Sequence, residues 1–175
     1  MLRNGSDGYG WATKSLHWVT VLALLMQFVV GYAMDPDDGS GRGRGRGRGG
    51  ESGRGRGRGG DDAAYDVFDE PLLTLHVSLG VLIIALAITR LVWRRVGSLP
   101  PWAEQLSDRQ RVLSTWTERS LLTLLIVVPG TGLVLVLSGD DDLLWMHVAG
   151  HVVFFVVLAV HVAMALTKRL LPRML

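Results

Sequence analysis

Four long apolar blocks restrict the folding of this sequence more severely than any other feature. They run roughly over 16–34, 72–93, 120–138 and 143–166, and nearly all charged residues lie in the connections between them. At about 1.5 Å of rise per helical residue, each block reaches across a hydrocarbon core of about 30 Å with modest tilt. A soluble domain of 175 residues breaks its apolar stretches with periodic polar positions, whereas this one is 49% hydrophobic, with a mean hydropathy of +0.30. The pattern predicts an all-α membrane fold, a four-helix transmembrane bundle forming one domain over 1–175. The first block reads as a retained helix rather than a signal peptide, because Trp18 and Tyr32 flank its apolar run and no small-residue cleavage site follows. Pro129, beside Gly130 and Gly132, predicts a kink in the third helix.

Lys and Arg set the expected orientation. One side carries eleven of them (Arg3, Lys14, Arg90, Arg94, Arg95, Arg109, Arg111, Arg119, Lys168, Arg169 and Arg173) and the other carries seven, all within 42–58. The excess places both termini on the cytoplasmic side. The acidic residues Asp35, Asp37, Asp38, Asp69, Glu70, Asp140, Asp141 and Asp142 mark the outer side. The outer loop over 35–70 contains GRGRGRGRGGESGRGRGRGG at 41–60. Without apolar residues this run has no core to bury, so it is expected to be a disordered insertion. Arg-Gly runs can bind RNA, but an outer loop meets none, and no nucleic-acid partner is expected.

All five histidines, His17, His76, His147, His151 and His161, fall within or at the edge of the apolar blocks. One histidine in a spanning helix is readily explained by an interhelical hydrogen bond; five of five point to a site. His147 and His161 are fourteen residues apart, so they share a helix face with about 40° of drift and stand about 21 Å apart along the axis. His151 is offset from His161 by about 80° and reads as a neighbour. Depth supplies the partners: His17 lies at the level of His161 near the inner end, and His76 at the level of His147 near the outer end. Two bis-histidine sites stacked across a bilayer suit two haem groups serving electron transfer, because bis-imidazole ligation leaves the iron no open position for oxygen.

A bare zinc ion requires three or four converging ligands, which two pairs so far apart do not supply. There is no cysteine, so thiolate zinc, iron–sulfur clusters and covalent haem attachment are excluded. Gly80, four residues after His76, and Gly150, three after His147, either let a flat macrocycle approach the backbone or serve close helix packing. Arg90, fourteen after His76, either pairs with a propionate of the inner haem or is a snorkelling arginine of the inner leaflet.

These residues resemble a known family. YGWATKSLHWVTVLALLMQFVVGY, LLTLHVSLGVLIIALAITRLVWR with PPW after it, VVPGTGLVL, and WMHVAGHVVFFVVLAVHVAMAL resemble in turn the four helices of the prokaryotic cytochrome b561 family. The resemblance covers nearly the whole chain apart from the Gly/Arg run. It implies a four-helix bundle with two haem b groups, their iron held axially by His17 with His161 and by His76 with His147. It also implies electron exchange between the quinone pool, or quinol, and a respiratory-chain partner or small oxidant or reductant on the other face of the cell membrane. Related cytochromes anchor larger dehydrogenases or hydrogenases. The chain departs from the family where a histidine often precedes helix three, here Trp116, Thr117 and Glu118, and where a histidine-containing basic cluster often ends helix four, here Lys168 and Arg169.

Three functions follow as expectations: a free-standing quinone-linked oxidoreductase, a haem-bearing anchor subunit, and a haem-free membrane protein. A reduced-minus-oxidised spectrum separates the last from the others.

Overall fold

The computed structural model describes residues 4–5, 8–34, 70–97 and 100–174. These form four long helices: α1 (Trp11–Ala33), α2 (Pro71–Val96), α3 (Asp108–Ser138) and α4 (Leu144–Thr167). Each is long and apolar enough to cross a membrane. The chain is an all-α, multi-pass membrane protein built as a four-helix bundle. The Gly/Arg run at 41–60, with the rest of the 35–69 loop, lies outside the described residues.

Local chemistry explains the helix ends. Pro71 opens α2, where its missing N–H removes no helical bond, and Arg94 and Arg95 sit in the last turn against the negative end of the helix dipole. The third helix begins at Asp108, twelve residues ahead of its apolar block. Its start is marked by Ser107, whose backbone N–H donates to Gln110 Oε1 at 3.1 Å, one arm of a capping box. With 31 residues, α3 is about 46 Å long, so its polar first turns project beyond a core of about 30 Å. It stays helical through Pro129. At its end Gly139 takes the left-handed conformation (φ 62°) that glycine adopts without strain, and its N–H donates to Leu135 O at 3.1 Å. Asp140 then accepts from the Asp142 N–H at 3.0 Å, and one 3-10 turn leads into α4.

Packing follows chain order: α1 lies on α2, α2 on α3, and α3 on α4. Ala23, Ile83, Ala87, Leu122, Leu125 and Phe154 form the buried centre. Phe154 is the only buried residue of α4. Val148, Val152, Val153 and Val156 are exposed, an arrangement stable when lipid covers them. Of the other helices, α4 packs closely along α3 alone, so its approach to α1 and α2 is left to side chains. Polar contacts tie the end carrying both termini: Trp93 Nε1–H donates to Thr13 Oγ1 (3.1 Å), Trp18 Nε1–H to Met174 O (2.9 Å), and Arg173 to Pro101 O (2.7 Å).

Candidate functional site

The side chains crossing from α4 to α1 and α2 are largely aromatic. Near the termini, the ring centres of His17 on α1 and His161 on α4 are 6.5 Å apart. Near the opposite end, those of His76 on α2 and His147 on α4 are 6.4 Å apart. Between these levels Phe28 packs on Phe155 at 4.7 Å and on Phe154 at 5.8 Å. His151 faces Phe28 (5.4 Å) and His147 (4.4 Å), so it belongs to the aromatic layer beside the second pair. The structure thus brings together the residues that depth predicts as partners, and α4 contributes one ring to each pair.

The four rings differ in their support. His147 Nδ1 is 3.0 Å from the carbonyl of Val128 and 3.1 Å from Thr131 Oγ1. Donation there fixes its tautomer and frees Nε2, a common arrangement behind metal-binding histidines. His76 Nε2 lies 3.0 Å from Gln27 Nε2, and its Nδ1 is buried without a partner. His17 Nδ1 is likewise buried and unpartnered, and Trp18 stands edge-on to the ring at 5.4 Å.

Glycines let these rings lie against neighbouring backbone. A Cβ on Gly31 would sit 3.0 Å from His76 Cε1, and one on Gly132 would sit 2.9 Å from His147 Cε1. Sequence reasoning missed both, and it missed Gln27; only the polarity of Gln27 within an apolar run marked it. Of the two readings of Gly150, the structure supports helix packing, since a Cβ there would meet Val128 Cγ2 at 3.0 Å. Gly80 lines a cavity of about 100 Å³ together with Gln27, His76, Gly132 and His147.

Arg90 belongs to a polar cluster near the termini, lined also by Tyr9, Thr13, Trp93, Arg94 and Glu118. Glu118 is taken by Arg94, at 2.6 Å. Among the described residues Arg90 forms no ion pair. Burial pushes the Tyr9 phenol up from 10.0, Glu118 pushes it further, and Arg173, Arg94 and Arg90 oppose them.

Two imidazoles that bind one iron from opposite faces, each through a bond of about 2 Å, place their ring centres on the order of 6 Å apart. Both pairs match that spacing, and the unpartnered nitrogens of His17 and His76 are of the right chemistry. Haem requires only axial ligands from the protein, because the macrocycle supplies the rest. Among the described residues no three His, Asp or Glu side chains gather as they do around a bare ion. The residues present therefore fit haem.

Comparison with curated proteins and with solved structures finds no match. A family model described as prokaryotic cytochrome b561 matches residues 8–175. With four apolar spanning helices and histidine pairs of haem-binding spacing, the chain belongs to the prokaryotic cytochrome b561 family, whose members are haem b proteins of membrane electron transfer.

Proposed function

We propose that this chain holds two haem b groups, one between His17 and His161 and the other between His76 and His147. It passes electrons between quinone or quinol and a redox partner on the opposite face. The observation that carries this reading is the pair of ring separations, 6.5 Å and 6.4 Å, at opposite ends of one bundle. Bound haem b supplies a one-electron ferric/ferrous couple.

The side chains do the rest. Each histidine pair would hold its iron through one ring nitrogen from each side chain and leave no position there for small oxidants, which favours electron transfer over oxygen activation. The Val128 carbonyl holds His147 by Nδ1 and leaves Nε2 as the nitrogen that would hold iron. The Phe28, Phe154 and Phe155 layer keeps the space between the two levels dry. Arg90, which makes no ion pair among the described residues, would pair with a propionate of the haem held by His17 and His161. The excess of Lys and Arg supports both termini lying in the cytoplasm and the bundle in a prokaryotic inner membrane.

Reduction of the purified protein by a quinol, followed by the b-type absorbance change, tests this function. Fast, complete reduction of both haems is expected. Haems that quinol leaves oxidised, in a protein that co-purifies with a larger dehydrogenase or hydrogenase subunit, assign the chain as an anchor instead. Arg90→Leu lowers the potential of the His17–His161 haem, since a cation beside the site favours the ferrous state. An unchanged potential removes Arg90 from the site.

A further inference from the structure

Gln27 is only 8% exposed, in the middle of an apolar helix, on the inward stripe that also holds Thr20, Ala23 and Val30. It lines the cavity shared by His76 and His147. Its Nε2 is 3.0 Å from His76 Nε2. An amide nitrogen is a donor only, so His76 accepts at Nε2 and carries its proton on Nδ1. Gln27 Oε1 and His76 Nδ1 are both buried without a partner. An orphaned acceptor and an orphaned donor therefore sit on two touching side chains, a mismatch that folded proteins rarely keep.

His147 shows no such mismatch, because its Nδ1 is already 3.0 Å from the Val128 carbonyl. Nor does Thr20, another buried polar residue on this stripe of α1, since its hydroxyl donates to Leu16 O at 2.6 Å. Around the cavity shared by His76 and His147, the unpartnered atoms among the described residues belong to Gln27 and His76; the other unpartnered ring nitrogen, His17 Nδ1, lies near the opposite end of the bundle.

We infer that Gln27 is a positioning residue for His76: its carbonyl oxygen accepts the N–H that His76 retains when its other nitrogen binds iron. The inference rests on the reading of His76 as an axial ligand. A ligating imidazole keeps one N–H, and that group is almost always given to a carbonyl, carboxylate or water. Turning the Gln27 amide about its terminal bond brings Oε1 to His76 Nε2; that nitrogen then keeps the ring proton, and the unpartnered Nδ1 is left for the iron. The bond fixes the rotation of the imidazole about its metal bond and lends the ring anionic character. Both effects act on one haem only, and the second favours ferric over ferrous iron.

The test is a spectroelectrochemical titration of the purified holoprotein, with the low-spin ferric EPR signals recorded alongside. Gln27→Met keeps length and volume but removes the acceptor. It shifts the ferric/ferrous equilibrium of one haem about tenfold towards ferrous, a rise of about 59 mV for one electron. The EPR signal of that haem moves, and the other haem is unchanged. Gln27→Glu retains an acceptor, so its potential stays at or below that of the parent protein. A Gln27→Met potential within about twofold of the parent equilibrium overturns the inference, as does a Gln27→Glu potential that rises. Should Gln27→Met fail to accumulate, the direction of the Gln27→Glu shift decides alone. His76→Ala separates the two levels of the argument. Loss of one haem in His76→Ala with no shift in Gln27→Met removes Gln27 but leaves the ligand. Full haem in His76→Ala removes both.

Discussion

Gly132→Ala adds one methyl group to α3, and the structure shows where it lands. The new Cβ would lie 2.9 Å from His147 Cε1, 3.3 Å from Nδ1 and 3.5 Å from Nε2. Carbon atoms pack at about 3.5–4.0 Å, so the ring must retreat by at least about 0.6 Å. It is held by Val128 O at 3.0 Å and Thr131 Oγ1 at 3.1 Å, and such a retreat carries it out of range of at least one of them. Overpacking costs about 1–3 kcal/mol and the lost hydrogen bond about 1 kcal/mol, while alanine regains about 1 kcal/mol of helix propensity. The net cost is about 2 kcal/mol, equivalent to roughly a thirtyfold weaker grip on the group that His147 holds. Gly130→Ala is the internal control, because its Cβ would meet nothing within 4 Å; it keeps full haem and is stabilised by about 1 kcal/mol. Haem retained per chain during dilution and desalting, read against thermal unfolding in the same detergent, measures both effects. Unaltered haem retention in Gly132→Ala, or equal loss in both variants, refutes the placement of His147 against α3.

Gly31→Ala presses on His76 at 3.0 Å and lowers retention of the same haem by a smaller factor, about fivefold, for an overpacking cost of about 2 kcal/mol offset by about 1 kcal/mol of regained helix propensity. The same desalting assay reads it. Glu118→Gln breaks the 2.6 Å pair with Arg94, whose side chains are 24% and 31% exposed. The loss of stability is therefore about 1 kcal/mol or less, visible as a small fall in Tm. Burial raises the folded Tyr9 phenol above 10.0, so its stabilising effect is intact below pH 10.0 and is lost as pH rises through the raised value. Thermal unfolding at increasing pH shows this loss in the parent protein, and Tyr9→Phe reduces it.

The spanning helices are legible because hydropathy is a property of whole segments. Histidine depth is legible too, since position along a spanning helix converts directly into distance from the membrane surface. Depth alone pairs His17 with His161 and His76 with His147, and these rings are neighbours in the structure. Other features depend on how helices rotate and approach one another, which no single segment encodes. The contacts of Gly31 with His76, of Gly132 with His147 and of Gly150 with Val128 are of this kind. The early start of α3 is a different case. Hydropathy is blind to its polar first turns, but Ser107 with Gln110 three residues later is a readable capping signal. Gln27 was legible only as a polar residue among apolar ones; its contact with His76 required the fold.

The most direct test of the central claim is haem stoichiometry, taken with a reduced-minus-oxidised spectrum, for the parent protein and for His17, His76, His147, His151 and His161 each changed to Ala. The account predicts two b-type haems per parent chain. One is lost in each of the His17, His76, His147 and His161 variants, and both are kept in His151→Ala. A parent protein without a b-type signal contradicts the account, as does full haem in His147→Ala with loss in His151→Ala.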